Sequence, residues 1–429
     1  MRRQTLLLTF LFLTLTHVRC FGQDVQNLTL AEAEKIAVQN HPQIQVAAYL
    51  ASAAAARVQQ ARSAYYPQAY GSLTGVDAQH NSRVAAGGLN NPIIFERYSN
   101  GVTVGQLVTD FGRTHELVKS SNFHAQARQE DVAATRADVL LQVDQAYFAV
   151  LKAQTVLQVA QKTVNTRQLV SDQVGALAKN KLRSGLDVSF ANVDLAQAQL
   201  LLVQAQNDLQ AAQADLSAAM GYSAQRTFVL AEEALPTAPP ANLTTLLQEA
   251  LRNRPELISQ RLDVNSAKSY ATAERDLWFP TITAVGTAGL TPYGADQLAP
   301  RYAAAGFNVN IPLFNGHLYG ALRSEADSQA QAQQQYLRTL QDRVVRDVQK
   351  AWLSANSAFQ RVSLTDQLLK NATQALDLAQ ERYKLGLSSI IEFSQAQLNQ
   401  TQAEIEQAGA KYDYEAQLSA LNYQVGRMP

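Results

Sequence analysis

Side chains able to catalyse a reaction or hold a metal are scattered through this sequence rather than grouped. The six histidines do not stand at metal-ligand spacing, and there is no His-Glu-x-x-His motif, no Gly-x-Ser-x-Gly motif and no phosphate-binding loop. The recurring polar residues are Gln, Asn, Ser and Thr, which suit a hydrated surface that a solute passes without tight binding. We therefore expect no enzyme activity, no bound metal and no cofactor, and the composition favours a conduit.

The overall composition removes two further classes of protein. With 47% hydrophobic and 17% charged residues, the chain does not have the composition of a disordered protein. Its 36 basic residues balance its 36 acidic residues, so the net charge is zero and no nucleic-acid partner is expected.

Residues 1–22 have the order of a secretory signal peptide, a basic start followed by an apolar run. This run is shorter than the roughly 20 residues that a membrane-spanning helix needs. The only cysteine, Cys20, follows Arg19 rather than the small residues that precede a lipidated cysteine. We expect cleavage after Gly22 and loss of Cys20, with lipidation of Cys20 as the alternative. No later segment approaches 20 apolar residues, which predicts a periplasmic, secreted or β-barrel protein.

The chain is predicted to be a tandem repeat. The segment Leu30–Pro42 aligns with Leu243–Pro255, and Tyr65-Tyr66-Pro67 aligns with Trp278-Phe279-Pro280. In both cases 213 residues separate the paired prolines. We place the first repeat at 23–226, a proline-rich linker at 227–242 and the second repeat at 243–429.

Each repeat is predicted to contain a helix, a β-hairpin, a very long helix and a further helix. Proline ends each first helix, period-two alternation marks the strands, and heptads of apolar residues mark the long helices as a coiled-coil wall. In the first repeat the expected helices are 29–64, 113–182 and 187–219, and the strands are 68–78 and 98–110, joined by a loop around 87–92. In the second repeat the expected helices are 243–277, 317–384 and 388–424, and the strands are 281–291 and 303–313.

The strands do not suffice for a closed barrel within one chain. At about ten residues each they could cross a bilayer at a tilt, but the smallest bilayer-spanning barrels have about eight strands. Partner chains are therefore required. Three copies would supply twelve strands and twelve helices, although two or four copies would also meet the closure condition.

These features resemble the TolC-like outer-membrane efflux proteins over the whole predicted mature chain. The resemblance rests on the duplicated layout, on Asn40-His41-Pro42 and Asn253-Arg254-Pro255, and on two Gly-Leu turns at Gly185 and Gly386. It implies a mainly α-helical homotrimer with a 12-stranded β-barrel in the outer membrane of a Gram-negative-type cell, continued by a periplasmic α-helical barrel. The implied function is a passive exit duct of a tripartite efflux or type I secretion system. Its implied partners are outer-membrane lipid, a periplasmic adaptor protein and an inner-membrane pump.

The resemblance places adaptor docking at the two Gly-Leu turns. The glycines would permit a left-handed turn that reverses the helix, and the following leucine would offer an exposed apolar knob. The alternative is that the glycines only end a helix. The expected docking residues are Arg183, Gly185, Leu186, Arg382, Gly386, Leu387 and Ser388.

The resemblance also places a pore constriction at Glu392 and Gln395, where Glu392 matches the first acid of the family's ring. Three carboxylates around a symmetry axis would repel one another and attract cations, which suits a gate and selectivity filter. As alternatives, Glu392 caps or salt-bridges a neighbouring helix, or Phe393 or Leu387 forms an apolar closure. Ser388 stands where some relatives have a basic residue, so the same closing salt bridges are not expected.

Four aromatic residues precede the predicted hairpins: Tyr65, Tyr66, Trp278 and Phe279. They suit an aromatic belt at the periplasmic membrane boundary, and core packing at a helix–strand junction is a compatible alternative. Two other functions stay open on the sequence, a periplasmic coiled-coil scaffold that never enters a membrane and a trimeric surface adhesin.

Overall fold

A computed structural model of the protein describes residues 27–79, 82–83, 93–232 and 238–428. The predicted signal peptide with Cys20, the loop at 87–92 and the linker stretch 233–237 lie outside the described residues.

The two halves of the chain carry the same order of elements. The first half contains β1 (Asn27–Leu28), α1 (Leu30–Asn40), α2 (Pro42–Arg62), β2 (Gln68–Val76), β3 (Arg97–Thr109), α3 (Arg113–Lys179) and α4 (Gly185–Ala219). The second half contains β4 (Val229–Leu230), α5 (Leu243–Asn253), α6 (Pro255–Arg275), β5 (Thr281–Gly294), β6 (Arg301–Asn310), α7 (Leu318–Lys384) and α8 (Ile390–Val425).

The expected single helices at 29–64 and 243–277 are wrong, because each is divided into two. His41 and Arg254 have extended backbones with ψ angles of 122° and 124°, and a proline opens the helix that follows each. A residue before proline is pushed out of the α region, whereas the first helical position tolerates proline because its N–H would be unpaired anyway. The helical periodicity continues across the break and hides it from the sequence.

The second hairpin lies at slightly different positions than expected. Strand β5 continues to Gly294, and β6 runs from Arg301 to Asn310 rather than from 303 to 313. Pro312 has no N–H to donate to a strand ladder, which explains why β6 ends before it.

The four long strands form one antiparallel sheet in the order β2-β3-β5-β6. One face carries mostly apolar and small side chains, among them Val102, Val104 and Phe307. The opposite face is more polar, and the hydroxyls of Thr103 and Thr287 lie 3.2 Å apart there. Within the described part of the chain, β2 and β6 each have one edge without a partner strand.

The long helix α3 packs against α2, α4, α6 and α8, and α7 packs against α6 and α8. Near the middle of α3, the buried hydroxyl of Tyr147 lies 3.0 Å from the carbonyl of Leu28 and 2.9 Å from that of Ala231. It thereby fastens the small parallel sheet of β1 and β4 to the helices. None of the helices in the described ranges is both long and apolar enough to cross a membrane.

Candidate functional site at the paired helix tips

The turns that join α3 to α4 and α7 to α8 have the same backbone structure. In the first tip (residues 180–184), Leu182 N donates to Leu177 O at 2.9 Å. In the second tip (residues 385–389), Leu387 N donates to Arg382 O at 2.8 Å. A left-handed residue precedes the leucine in both turns, with φ of 59° at Lys181 and 73° at Gly386. This is the helix-ending arrangement in which a left-handed residue lets the chain reverse.

The left-handed turn expected at Gly386 is confirmed, but the one expected at Gly185 is wrong. Gly185 is the first residue of α4, and Lys181 takes the left-handed conformation instead. The residue of the first tip that is equivalent to Leu387 is therefore Leu182. The Gly-Leu pairs had suggested Leu186, four residues later. A lysine tolerates this conformation at a cost of about 1 kcal/mol, so glycine is not an obligatory marker of the turn.

Four leucines are exposed at or directly beside the tips, with exposed fractions of 69% for Leu182, 63% for Leu186, 72% for Leu385 and 67% for Leu387. The sequence analysis included Leu186 and Leu387 and missed Leu182 and Leu385. The spacing gave a signal for Leu182, because a serine that caps the next helix follows two residues after both Leu182 and Leu387.

The caps of the two returning helices differ. Ser184 and Asp187 form a reciprocal capping box, in which each side chain accepts a hydrogen bond from the other's backbone N–H. Ser389 likewise accepts from Glu392 N at 3.3 Å, but the Glu392 carboxylate lies 3.6 Å from Arg382 at the end of α7. In the single chain Glu392 therefore makes the salt bridge named as the alternative to a pore ring.

Gln395 lies one turn beyond Glu392 on α8. Its side-chain amide donates to Asn399 at 2.9 Å. Both Glu392 and Gln395 are solvent-exposed, as a shared lining of an aqueous pore requires.

Arg183 joins the first tip to the second. Its guanidinium donates to the carbonyl oxygen of Tyr383 at 2.8 Å and lies 4.1 Å from the centre of the Tyr383 ring. That ring stacks on Phe393 with 5.3 Å between centroids and 9° between planes. Burial raises the pKa of the Tyr383 hydroxyl, and Arg183 opposes that rise. Arg183 thus links the two helical hairpins, whereas the stack of Tyr383 on Phe393 joins α7 to α8 within the second hairpin. Neither Arg183 nor the buried Phe393 is presented freely to a partner.

A second link between the hairpins lies one turn further from the tips. The Ser394 hydroxyl of α8 donates to the Asp194 carboxylate of α4 at 2.5 Å. Sequence reasoning could not pair Arg183 with Tyr383 or Asp194 with Ser394, because each pair is separated by 200 residues.

The other predicted site lies at the junction of helices and sheet. Tyr65, Tyr66, Trp278 and Phe279 are 45%, 67%, 46% and 47% exposed, which is far more than core residues would be. The sequence analysis missed Phe111, whose ring lies 6.2 Å from that of Phe279. It also missed Phe314, which is 78% exposed.

Within the part of the chain that the structure describes, no group of three or more His, Cys, Asp and Glu side chains is placed to hold a metal ion. What the tips present is the charged pair of Arg382 and Glu392 and the exposed leucines.

The sequence model of the outer membrane efflux proteins matches residues 35–222 and 246–427. The chain belongs to this family. Two matched segments cover most of both halves, with the gap between them in the linker region.

Individual members of the efflux family are similar along most of their length. The outer membrane protein TolC of Salmonella enteritidis is 25% identical over 427 residues, covering 93% of this chain and 83% of TolC. The outer membrane efflux protein BepC of Brucella suis is 25% identical over 335 residues, covering 76% of this chain and 72% of BepC. The crystal structure of the outer membrane protein VceC from Vibrio cholerae superposes with a TM-score of 0.77 at 17% identity, covering 92% and 96% of the two chains.

The predicted family, function and location are confirmed at this level. The protein is an outer-membrane efflux channel component that extends into the periplasm, and its mainly helical fold with added strands is that of its structural neighbours. The scaffold and adhesin alternatives have no support, and the relatives are channel proteins rather than enzymes.

Proposed function

We propose that the chain is one subunit of a homotrimeric duct with a 12-stranded β-barrel in the outer membrane and a helical cylinder in the periplasm. The unpaired edges of β2 and β6 support this arrangement, since each needs a partner strand from another copy. The more apolar face of the sheet would then contact lipid, with the exposed aromatic residues at the membrane boundary.

The outer helices also carry surfaces suited to neighbouring copies. On α4, Leu200 and Val203 are 71% and 64% exposed, and on α7, Leu364 and Leu378 are 61% and 68% exposed. Because α4 and α7 flank the pair α3 and α8, we propose that α4 of one copy packs beside α7 of the next.

In this proposal the duct is passive, and a periplasmic adaptor and an inner-membrane pump supply the energy. Membership of the efflux family over both halves carries the proposal. The absence of a phosphate-binding loop from the sequence agrees with an energy source outside this chain.

We place the closed gate at the two tips. The contact of Arg183 with Tyr383 links the two hairpins, and Glu392 and Gln395 would face the pore beside it. Opening requires the second hairpin to move away from the first, which breaks the Arg183 contact. We place docking at four exposed residues, Leu182, Leu186, Gly386 and Leu387, and at the adjoining Ser388, whose hydroxyl is buried in the single chain.

Docking is tested by the substitution Leu387→Asp, which puts a charge at the exposed end of the second tip. We expect export of a substrate to fall at least about tenfold, while trimers on native gels and outer-membrane content stay unchanged. The matched control is Leu169→Asp, an exposed leucine (58%) ten residues before the end of α3. Normal export by Leu387→Asp, or an equal loss of export in Leu169→Asp, would overturn the docking assignment.

A further inference from the structure

An elongated cleft separates α4 from α8 behind the tips, and α3 forms its floor. Its volume is about 600 Å³, within the size range of small-molecule sites. The walls are largely apolar and are formed by Phe190, Val193, Leu201, Ile391, Leu398 and Ile405.

A buried arginine lies in this cleft. Arg167 is only 7% exposed, and its Nη1 atom has no hydrogen-bond partner. Among the described residues, no carboxylate lies within ion-pair distance of it. The nearest acid with an electrostatic effect is Asp194, which already accepts the hydrogen bond of Ser394. Burial lowers the pKa of Arg167 and Asp194 opposes this, yet an arginine remains protonated at neutral pH.

Among the described residues, a second arginine is buried to a similar extent, but it has partners. Arg254 is 8% exposed, but it donates to both carboxylate oxygens of Glu256, at 3.2 and 2.9 Å, and to Gln424 at 2.7 Å. Burying an uncompensated charge is costly, and pairing of this kind is how proteins offset that cost. Arg167 is buried to the same extent but has no such partner among the described residues. Its charge is therefore not neutralised within the single chain.

A second buried polar atom lies close by. The side-chain oxygen of Gln397 on α8 also has no hydrogen-bond partner, and it borders the same small space beside Arg167. The Gln397 oxygen can only accept, so water or another donor must satisfy it, whereas an anion would accept from Arg167 Nη1 and neutralise the guanidinium charge. Apolar walls around an unneutralised cation match a ligand that has an apolar body and a negative head.

We propose that this cleft is a binding site for amphiphilic organic monoanions, such as medium-chain carboxylates, with the head group on Arg167. Asp194 and Glu406 also border the cleft, so a head group with two negative charges would be repelled. The apolar chain would lie between α4 and α8 and touch both hairpins. Gln395 borders the same cleft, which puts a bound ligand next to the proposed constriction. Binding itself requires neither gating nor export.

Binding of decanoate to the full-length protein in a neutral maltoside detergent tests the proposal. Decanol and decyltrimethylammonium carry the same apolar chain with a neutral and a positive head. We expect decanoate to bind at least about tenfold more tightly than either, since a charge-assisted hydrogen bond supplies a difference of this size. Equal binding of decanoate and decanol, or no decanoate binding, would overturn the proposal.

The variant Arg167→Met should bind decanoate no better than decanol. Its fold is expected to persist, because replacing an unpaired buried charge by an apolar side chain is often neutral or stabilising. Lys152→Met is the matched control, as Lys152 is a partly exposed cation fifteen residues earlier on α3 that pairs with Asp413 at 2.9 Å and does not border the cleft. It should bind decanoate like the parent. Parent-like binding by Arg167→Met, or an equal loss in Lys152→Met, would contradict the site.

Discussion

The two halves of the chain share a backbone plan but stabilise it with different side chains. At the proline junctions, His41 caps α2 by accepting from Gln43 N at 3.3 Å, whereas Arg254 binds Glu256 and Gln424 across three helices. At the tips, Lys181 and Gly386 hold the same left-handed turn. The reversing turns are thus common to both repeats, while the helix caps and the charged contacts differ between them.

The largest difference is expected at the junctions. Arg254→Ala leaves Glu256 partly buried without its cation and should lower the free energy of unfolding by about 3 kcal/mol. His41→Ala removes a helix cap and a buried ring but leaves no charge unpaired, and should cost about 1 to 2 kcal/mol. Urea unfolding of the two variants measures the contrast, and equal losses would show that the ionic network adds nothing to the junction.

A smaller difference in stability is expected at the two tips. A Cβ at Gly386 would contact nothing within 4 Å, so Gly386→Ala tests backbone conformation alone and should cost about 1 kcal/mol. Lys181→Gly should stabilise the first tip by up to about 1 kcal/mol. Local hydrogen exchange at the two turns measures both effects, and shifts of the same sign would contradict the equivalence of Lys181 and Gly386.

The two junctions should also respond to acid at different pH. Burial lowers the pKa of His41, so the folded chain favours the neutral ring, and that stability is lost as the pH falls below about 6.5. Burial would raise the pKa of Glu256, but Arg254 outweighs it and lowers the pKa, so this contribution stays intact down to the ordinary pKa of glutamate and is lost as the pH falls from there through the lowered pKa of the folded chain.

The variant His41→Asn keeps a capping acceptor without a titrating ring. Between about pH 7 and pH 5 its stability should fall less than that of the parent, because the contribution of the His41 ring is absent. Identical pH profiles for the two proteins would show that the His41 ring does not contribute to the pH dependence of stability.

The sequence predicted the order of elements well because periodicity and proline are local signals. It failed where one local signal overrode another, as at Pro42 and Pro255, where helical periodicity concealed a break. It misplaced the first tip because the left-handed position holds Lys181 rather than a glycine. The contact of Arg183 with Tyr383 and the incomplete environment of Arg167 depend on helices far apart in sequence, and no local pattern encodes them.

Resting conductance in planar bilayers tests most directly whether contacts between the two tips keep the duct closed. We expect low conductance for the parent and a severalfold higher conductance for Arg183→Ala, with trimers intact. Arg226→Ala is the control, since Arg226 lies 3.7 Å above the Tyr222 ring in a similar stack far from the tips, and it should stay closed. Conductance of Arg183→Ala equal to that of the parent would contradict the account.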